Sequence, residues 1–251
     1  MNATNKISII LLMPALITSC ADTPIKKSTE KNQNKAIYSK PSRDPGDYQS
    51  PINILSSDTK QIKDMHLFNI KFEDKIIAVE NLGHTVQLDF KSGSTINVDD
   101  VNYTFKQMHF HTPSEHLIDG VTYPMELHIV AVNNDKPNLS RYVVFGVLFK
   151  MGEENKFINE FLNKIPKYEH DKTVIQENTI KLKDLISKSD VASYYHYSGS
   201  LTTPPYTETV NWFVLKKIFQ ASPEQIEKIN AIEGNNARHI EFKNNRLIET
   251  N

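Results

Sequence analysis

Residues 106–116 read KQMHFHTPSEH, which places three of the chain's nine histidines within eleven positions. His109 and His111 stand two apart. On a β-strand such residues project from one face, so the two imidazoles would lie side by side with Phe110 on the other face. Neutral imidazole is the commonest protein metal ligand, and two on one face begin a metal site. In 251 residues with this histidine content, roughly 0.3 His-x-His pairs arise by chance, so the pair alone decides nothing. A second segment, MELHIVAV (125–132), offers His128, with Glu126 and Val130 on its own face. If the two segments pair, three imidazoles converge. Three His ligands plus an open position for water is the layout of a catalytic rather than a structural zinc site. Taken singly, each His is more simply read as a hydrogen-bonded core residue. Gln107 and Glu126 weigh against that reading, because each lies two residues before a proposed ligand and on its face, where it can accept the other ring N–H. Cys20 is the sole cysteine. A multi-cysteine zinc site and a disulfide within the chain are both excluded, and any zinc is held by His and carboxylates.

The elements that must position these groups are strands. KIIAVENLG (75–83) and TVQLDF (85–90) alternate in side-chain character as half-buried strands do. STINVDD (94–100) and VNYTFKQMHFH (101–111) follow. MELHIVAVNN (125–134) and RYVVFGVLFKMG (141–152) also read as strands, the second nearly continuous in β-branched and aromatic residues and therefore central. Helical signals are few. EENKFINEFLNKIP (153–166) spaces Phe157, Phe161 and Ile165 four apart, and SPEQIEKINAIEG (222–234) opens with a capping box, with Ser222 as N-cap, Pro223 at N1 and Gln225 at N3, and stops at Gly234. The expected fold is mainly β (α+β), a single sheet-dominated domain with a few short peripheral helices. Hydrophobic residues make up 39% of the chain, and the net charge is −1. The first permits a full core, and the second gives no electrostatic case for nucleic acid.

The first twenty residues, MNATNKISIILLMPALITSC, are not part of that domain. An early lysine, an apolar run from Ile7 to Ile17 and small residues before Cys20 read as a signal peptide, too short and wrongly flanked for a membrane span. The ending ITSC resembles a bacterial lipobox, in which Cys20 becomes the lipidated first residue. Residues 21–45 begin ADTPIKKSTEKNQNK, too polar to bury a core, and read as a flexible tether. The expected organisation is a lipoprotein-type signal at 1–20, the tether at 21–45 and a catalytic domain at 46–251. The expected location is outside the cytoplasm, facing the periplasm or cell exterior, with a lipid anchor as the only membrane contact.

Five segments carry a family resemblance: QSPINI (49–54), NLGHTVQ (81–87), QMHFHTPSEH (107–116), MELHIVAV (125–132) and GSLTTPPYTETVNW (199–212). In this order and at these spacings the chain resembles a bacterial alpha-class carbonic anhydrase over about residues 48–246. The resemblance implies a large, mostly antiparallel, twisted central sheet. It also implies reversible hydration of carbon dioxide to bicarbonate and a proton by a zinc-bound hydroxide. His109, His111 and His128 would hold Zn2+, with their outer nitrogens held by Gln107, Glu126 and the main-chain carbonyl of Asn236. Zinc lowers the pKa of its water to about 7, carbonic anhydrase being the reference case for that figure. Thr202 and Glu115 would orient the attacking oxygen, and Thr203 would contact bicarbonate or anions. Val130, Val144, Leu201, Val210 and Trp212 would form the apolar wall against carbon dioxide. His84 would shuttle the product proton, since His alone titrates unperturbed near pH 7. Inorganic anions and sulfonamides would inhibit.

The chain departs from that pattern before QSPI. The lead-in AIYSKPSRDPGDY lacks the family's Trp/Tyr-rich stretch, and neither Tyr38 nor Tyr48 stands in its context. The disulfide common in secreted bacterial members is also absent, with Tyr206 at one of its positions. This implies the loss of about 2–4 kcal/mol of crosslink stabilisation. The alternative function is a non-catalytic binding module of this fold on the cell surface. Such relatives have typically lost a zinc ligand, and all three are present here. Hydrolysis of activated esters would be a side activity.

Overall fold

The structure is a computed structural model. It describes residues 46–251 apart from 64, 65, 67, 72–74, 92, 134 and 136–140. Cys20, the signal segment and the tether lie outside the described residues.

Among the described residues, thirteen strands form one sheet: β1 (Lys60–Gln61), β2 (Phe68–Lys71), β3 (Ile76–Asn81), β4 (Val86–Phe90), β5 (Thr95–Val98), β6 (Val101–His111), β7 (Met125–Asn133), β8 (Arg141–Met151), β9 (Lys172–Val174), β10 (Tyr194–Gly199), β11 (Val210–Leu215), β12 (Phe219–Ala221) and β13 (Glu249–Thr250). The order across the sheet is β9-β3-β4-β6-β7-β8-β11-β10-β13-β1, with β12 beside β8 and the β2–β5 pair attached through β6. Most neighbours run antiparallel. The pairs β8–β11, β8–β12 and β13–β1 are parallel. The strands expected from alternation are all present, and the long apolar segment β8 is central as its composition requires.

The register determines what the two faces carry. His109 lies opposite His128, and His111 opposite Glu126. Val130 pairs with Val144, and Val144 with Trp212. These residues therefore share one face of the sheet. The intervening residues Phe110, Leu127, Ile129, Phe145 and Phe213 form the other face, within the main apolar core. That core is closed by α1 (Lys156–Leu162), which buries Phe157, Ile158 and Phe161, and by α2 (Pro223–Glu233). The expected capping box on α2 is formed in both directions between Ser222 and Gln225, and Gly234 ends the helix with φ +63°. No helix among the described residues is long and apolar enough to cross a membrane.

Candidate metal centre

Strands β6 and β7 bring His109, His111 and His128 together, with ligand nitrogens within 4.8 Å of one another. His111 and His128 are buried, and His109 is half-buried. Two rings are fixed from behind. His109 donates its Nδ1–H to Gln107 Oε1 at 2.8 Å. His128 donates its Nε2–H to Glu126 Oε1 at 2.9 Å, which leaves its Nδ1 as a lone pair. Both nitrogens of His111 are buried without a hydrogen-bond partner. The Asn236 main chain faces His111 and favours its charged form, but no hydrogen bond closes. The Asn236 side chain instead bonds the main chain at Thr112, His84 and Phe110.

The electrostatics keep these rings neutral. Burial lowers the pKa of His109 to about 3, with His128 and then His84 contributing by like charge. Burial and the neighbouring histidines hold His111 well below its ordinary value, and burial likewise lowers His128. Three neutral imidazoles brought together in this way, one of them with both nitrogens unpartnered, are a donor set that fits Zn2+.

Glu126 anchors this cluster. Burial would raise its pKa, but the adjacent His116 and His128 hold it well below the carboxylate range. Its Oε2 accepts from the Glu115 and His116 main-chain N–H groups at 2.9 and 2.8 Å, and its Oε1 from His116 Nδ1 at 2.7 Å as well as from His128. A Cβ at Gly146, on the adjacent strand, would stand 2.9 Å from Glu126 Oε1, so glycine makes room for the carboxylate. Behind His116, its Nε2 lies 2.7 Å from the Tyr197 hydroxyl, which donates to Ser50 Oγ. Sequence reasoning gave His116, Tyr197 and Ser50 no role. The available signal was the position of His116 within the His-rich motif itself.

Glu115 is also fully buried. Burial pushes its carboxyl up to about 8, opposed by the Arg238 N–H that it accepts at 2.8 Å and by the nearby Thr202 hydroxyl. Its Oε2 has no hydrogen-bond partner and lies 3.9 Å from His128 Nδ1. Thr202 is buried beside it, and Thr203 is exposed. Their loop is closed by Tyr206 N–H to Thr203 O at 2.9 Å and Leu201 N–H to Thr207 O at 3.0 Å. Tyr206 lies under the Arg238 guanidinium at 4.0 Å. That guanidinium also bonds Gln49 and the Ser50 carbonyl, so one buried Arg ties QSPI to the loop.

Val130, Val144, Val210 and Trp212 are buried in a second apolar cluster, separate from the main core, with Leu201 packed against it. The Trp212 ring stands 4.8 Å from that of His128. His84 is exposed, and its Nδ1 donates to Leu82 O.

The family model described as eukaryotic-type carbonic anhydrase matches residues 32–250. A carbonic anhydrase of Neisseria gonorrhoeae is 34% identical over 209 residues, covering 81% of this chain and 77% of its own length. A carbonic anhydrase of Pectobacterium atrosepticum is 32% identical over 249 residues, covering 97% of this chain and 98% of its own. Among solved structures, the alpha-carbonic anhydrase of Thermovibrio ammonificans in complex with the inhibitor sulfanilamide superimposes with a TM-score of 0.74 at 34% identity, covering 81% of this chain and 87% of that one.

Proposed function

This chain belongs to the eukaryotic-type carbonic anhydrase family, and we propose that His109, His111 and His128 hold its zinc, Thr202 and Glu115 orient the attacking oxygen, and His84 carries the proton away. The reaction is the reversible hydration of carbon dioxide to bicarbonate and a proton, and the cofactor is Zn2+. Bound zinc supplies a Lewis acid that brings the pKa of water near 7. The protein's own residues do the rest. Glu126 and Gln107 fix the tautomers of His128 and His109, so that lone pairs and not N–H groups face the metal. Thr202, buried beside Glu115, would accept a hydrogen bond from the attacking water and donate to the Glu115 carboxylate, which would direct an oxygen lone pair toward the substrate. Val130, Val144, Leu201, Val210 and Trp212 offer carbon dioxide a wall without polar competitors, and Thr203 meets the bicarbonate product. His84, exposed at the protein surface, passes the released proton to buffer.

The observation that carries this assignment is the buried His111 ring with two partnerless nitrogens. Such a ring costs about 1–3 kcal/mol per unmet group unless a ligand completes it. Metal analysis and stopped-flow hydration of a His128→Ala protein test the reading. Zinc content should fall by one ion per chain relative to wild type and activity to near background, and a zinc content equal to wild type would remove the assignment. By analogy with the sulfanilamide complex of the Thermovibrio enzyme, sulfonamides should inhibit this protein, as should inorganic anions.

We also propose the lipoprotein organisation: signal at 1–20, tether at 21–45, catalytic domain at 46–251, and the protein held by acylated Cys20 facing the periplasm or cell exterior. The support is the position of the only cysteine at the end of the apolar run. Cys20→Ala should leave the protein uncleaved or release it to the soluble fraction. Recovery of the same acylated, membrane-bound species would refute the anchor.

A further inference from the structure

We propose a second metal site on the opposite face of the sheet, in which His66, His196 and Glu249 bind a divalent first-row ion of the zinc class. The three ligand atoms already converge. His66 Nε2 lies 3.2 Å from His196 Nδ1 and 3.3 Å from Glu249 Oε2, and His196 Nδ1 lies 2.8 Å from the same oxygen. A tetrahedral ion with ligands at about 2.0–2.1 Å has its donors roughly 3.3 Å apart. Two of the three edges match that figure, and the third needs to open by a few tenths of an ångström.

Hydrogen bonding alone does not satisfy this triangle. With the His66 proton on Nδ1 toward Asp99, His196 Nδ1–H can donate to Glu249 at 2.8 Å, but the His66 Nε2 lone pair then faces the same carboxylate oxygen at 3.3 Å. If His66 donates to His196, then His196 Nδ1 is a lone pair and sets it against a carboxylate oxygen at 2.8 Å. An ion at the centre accepts all three lone pairs at once. The surroundings match those of a metal-bound histidine. The outer nitrogen of His66, Nδ1, donates to the Asp99 carboxylate, which is how ligating imidazoles are oriented and made more basic. Phe213 holds both rings, with His196 stacked on it at 4.6 Å and His66 edge-on at 5.4 Å.

The site is reachable. Its three side chains are between 12% and 26% exposed. His66 lines one surface depression of about 300 Å3, and His196 and Glu249 line another of about 500 Å3. Water from either can fill the fourth position. The ligands come from the segment before β2, from β10 and from β13, so the ion would clip the short C-terminal strand to the sheet. The mixed imidazole and carboxylate donors suit zinc or cobalt better than calcium or magnesium, which prefer all-oxygen sites.

The test is metal stoichiometry of the full protein, dialysed against 10 µM free Zn2+ or Co2+. Wild type should hold two ions per chain, the second restoring a tetrahedral cobalt spectrum in protein whose other site is zinc-filled. Glu249→Gln and His196→Ala should each hold one ion, with the second affinity weakened at least tenfold, while carbon dioxide hydration stays within twofold of wild type. Retained hydration also reports that the variants fold. His128→Ala should lose the other ion and the activity, so failure of one site is distinguishable from failure of the other. Added zinc should raise the melting temperature of one-zinc wild type but not of Glu249→Gln. One ion per chain in wild type, or two in Glu249→Gln, overturns the proposal.

Discussion

Replacing Glu126 by Gln tests whether the metal centre is set by proton placement and not by shape alone. The side chain keeps its volume, so the consequence follows from four donors. Two are main-chain N–H groups, from Glu115 and His116, on Oε2. Two are imidazole nitrogens, from His116 and His128, on Oε1. A main-chain N–H cannot turn round, so the amide oxygen must take the Oε2 position and the amide NH2 must face the two rings. His128 then has to accept at Nε2, and a neutral imidazole doing so carries its proton on Nδ1. That is the nitrogen which, in the proposed site, would face the zinc. Removing such an orienting group typically costs 10–100-fold in metal affinity, about 1.4–2.8 kcal/mol. Loss of a charge-assisted bond should cost a further ~1.5–3 kcal/mol of fold stability. Zinc affinity by chelator competition and urea denaturation measure the two separately, and histidine nitrogen chemical shifts report the tautomer. A Glu126→Gln protein with wild-type zinc affinity, or one with His128 still protonated at Nε2, refutes the reasoning.

Thr202→Ala should retain zinc while losing about 10²-fold in turnover, because the attacking oxygen loses its direction, and Glu115→Gln should follow it. Wild-type turnover in both would place the orienting pair elsewhere. His84→Ala should lower kcat in weak buffer by up to about 10²-fold and leave kcat/KM nearly intact, with added imidazole restoring the loss. An unchanged kcat at low buffer would mean that protons leave by another route. Glu233 is buried against the Val86 N–H and the Thr112 hydroxyl, and burial pushes its carboxyl up to about 8. The folded protein therefore binds more protons than the unfolded chain between about 4.5 and 8, so this group's stabilisation is full at acid pH and is lost as pH rises through that window. Glu233→Gln should flatten the pH–stability curve across that window and help most at its upper end, as read by melting temperature. A parallel pH profile in the variant would contradict this.

The pattern of β6 was legible because its two faces differ. Met108 and Phe110 enter the core, while Gln107, His109 and His111 face the site, so polar and apolar residues alternate. Strand β7 is buried along almost its whole length, which erases alternation. His128 was found by its chemistry and not by its period. The apolar wall could not be separated from core by composition, since Val130 and Val143 look alike. Only the register, which sets Val130 beside Val144 and Trp212, moves them to the histidine face. Partners distant in sequence were also illegible. Tyr197 reaches His116 across 81 positions, and Glu249 reaches His66 across 183. No local pattern encodes pairings that depend on the order of the sheet.

The same architecture keeps the three histidines apart from the main apolar core. A zinc finger lacks a core and is unfolded without its ion. Here the main apolar core lies on the far side of the sheet from the three histidines and is built without them. The cost of holding His111 with two unmet nitrogens falls on a fold that already has its stability elsewhere. The Glu126 network keeps His128 in one tautomer whether or not an ion is present, because two of its four donors are main-chain groups locked by the turn at Glu115 and His116. Zinc should therefore add to stability by mass action on the folded state, and its removal should lower the melting temperature without unfolding the sheet.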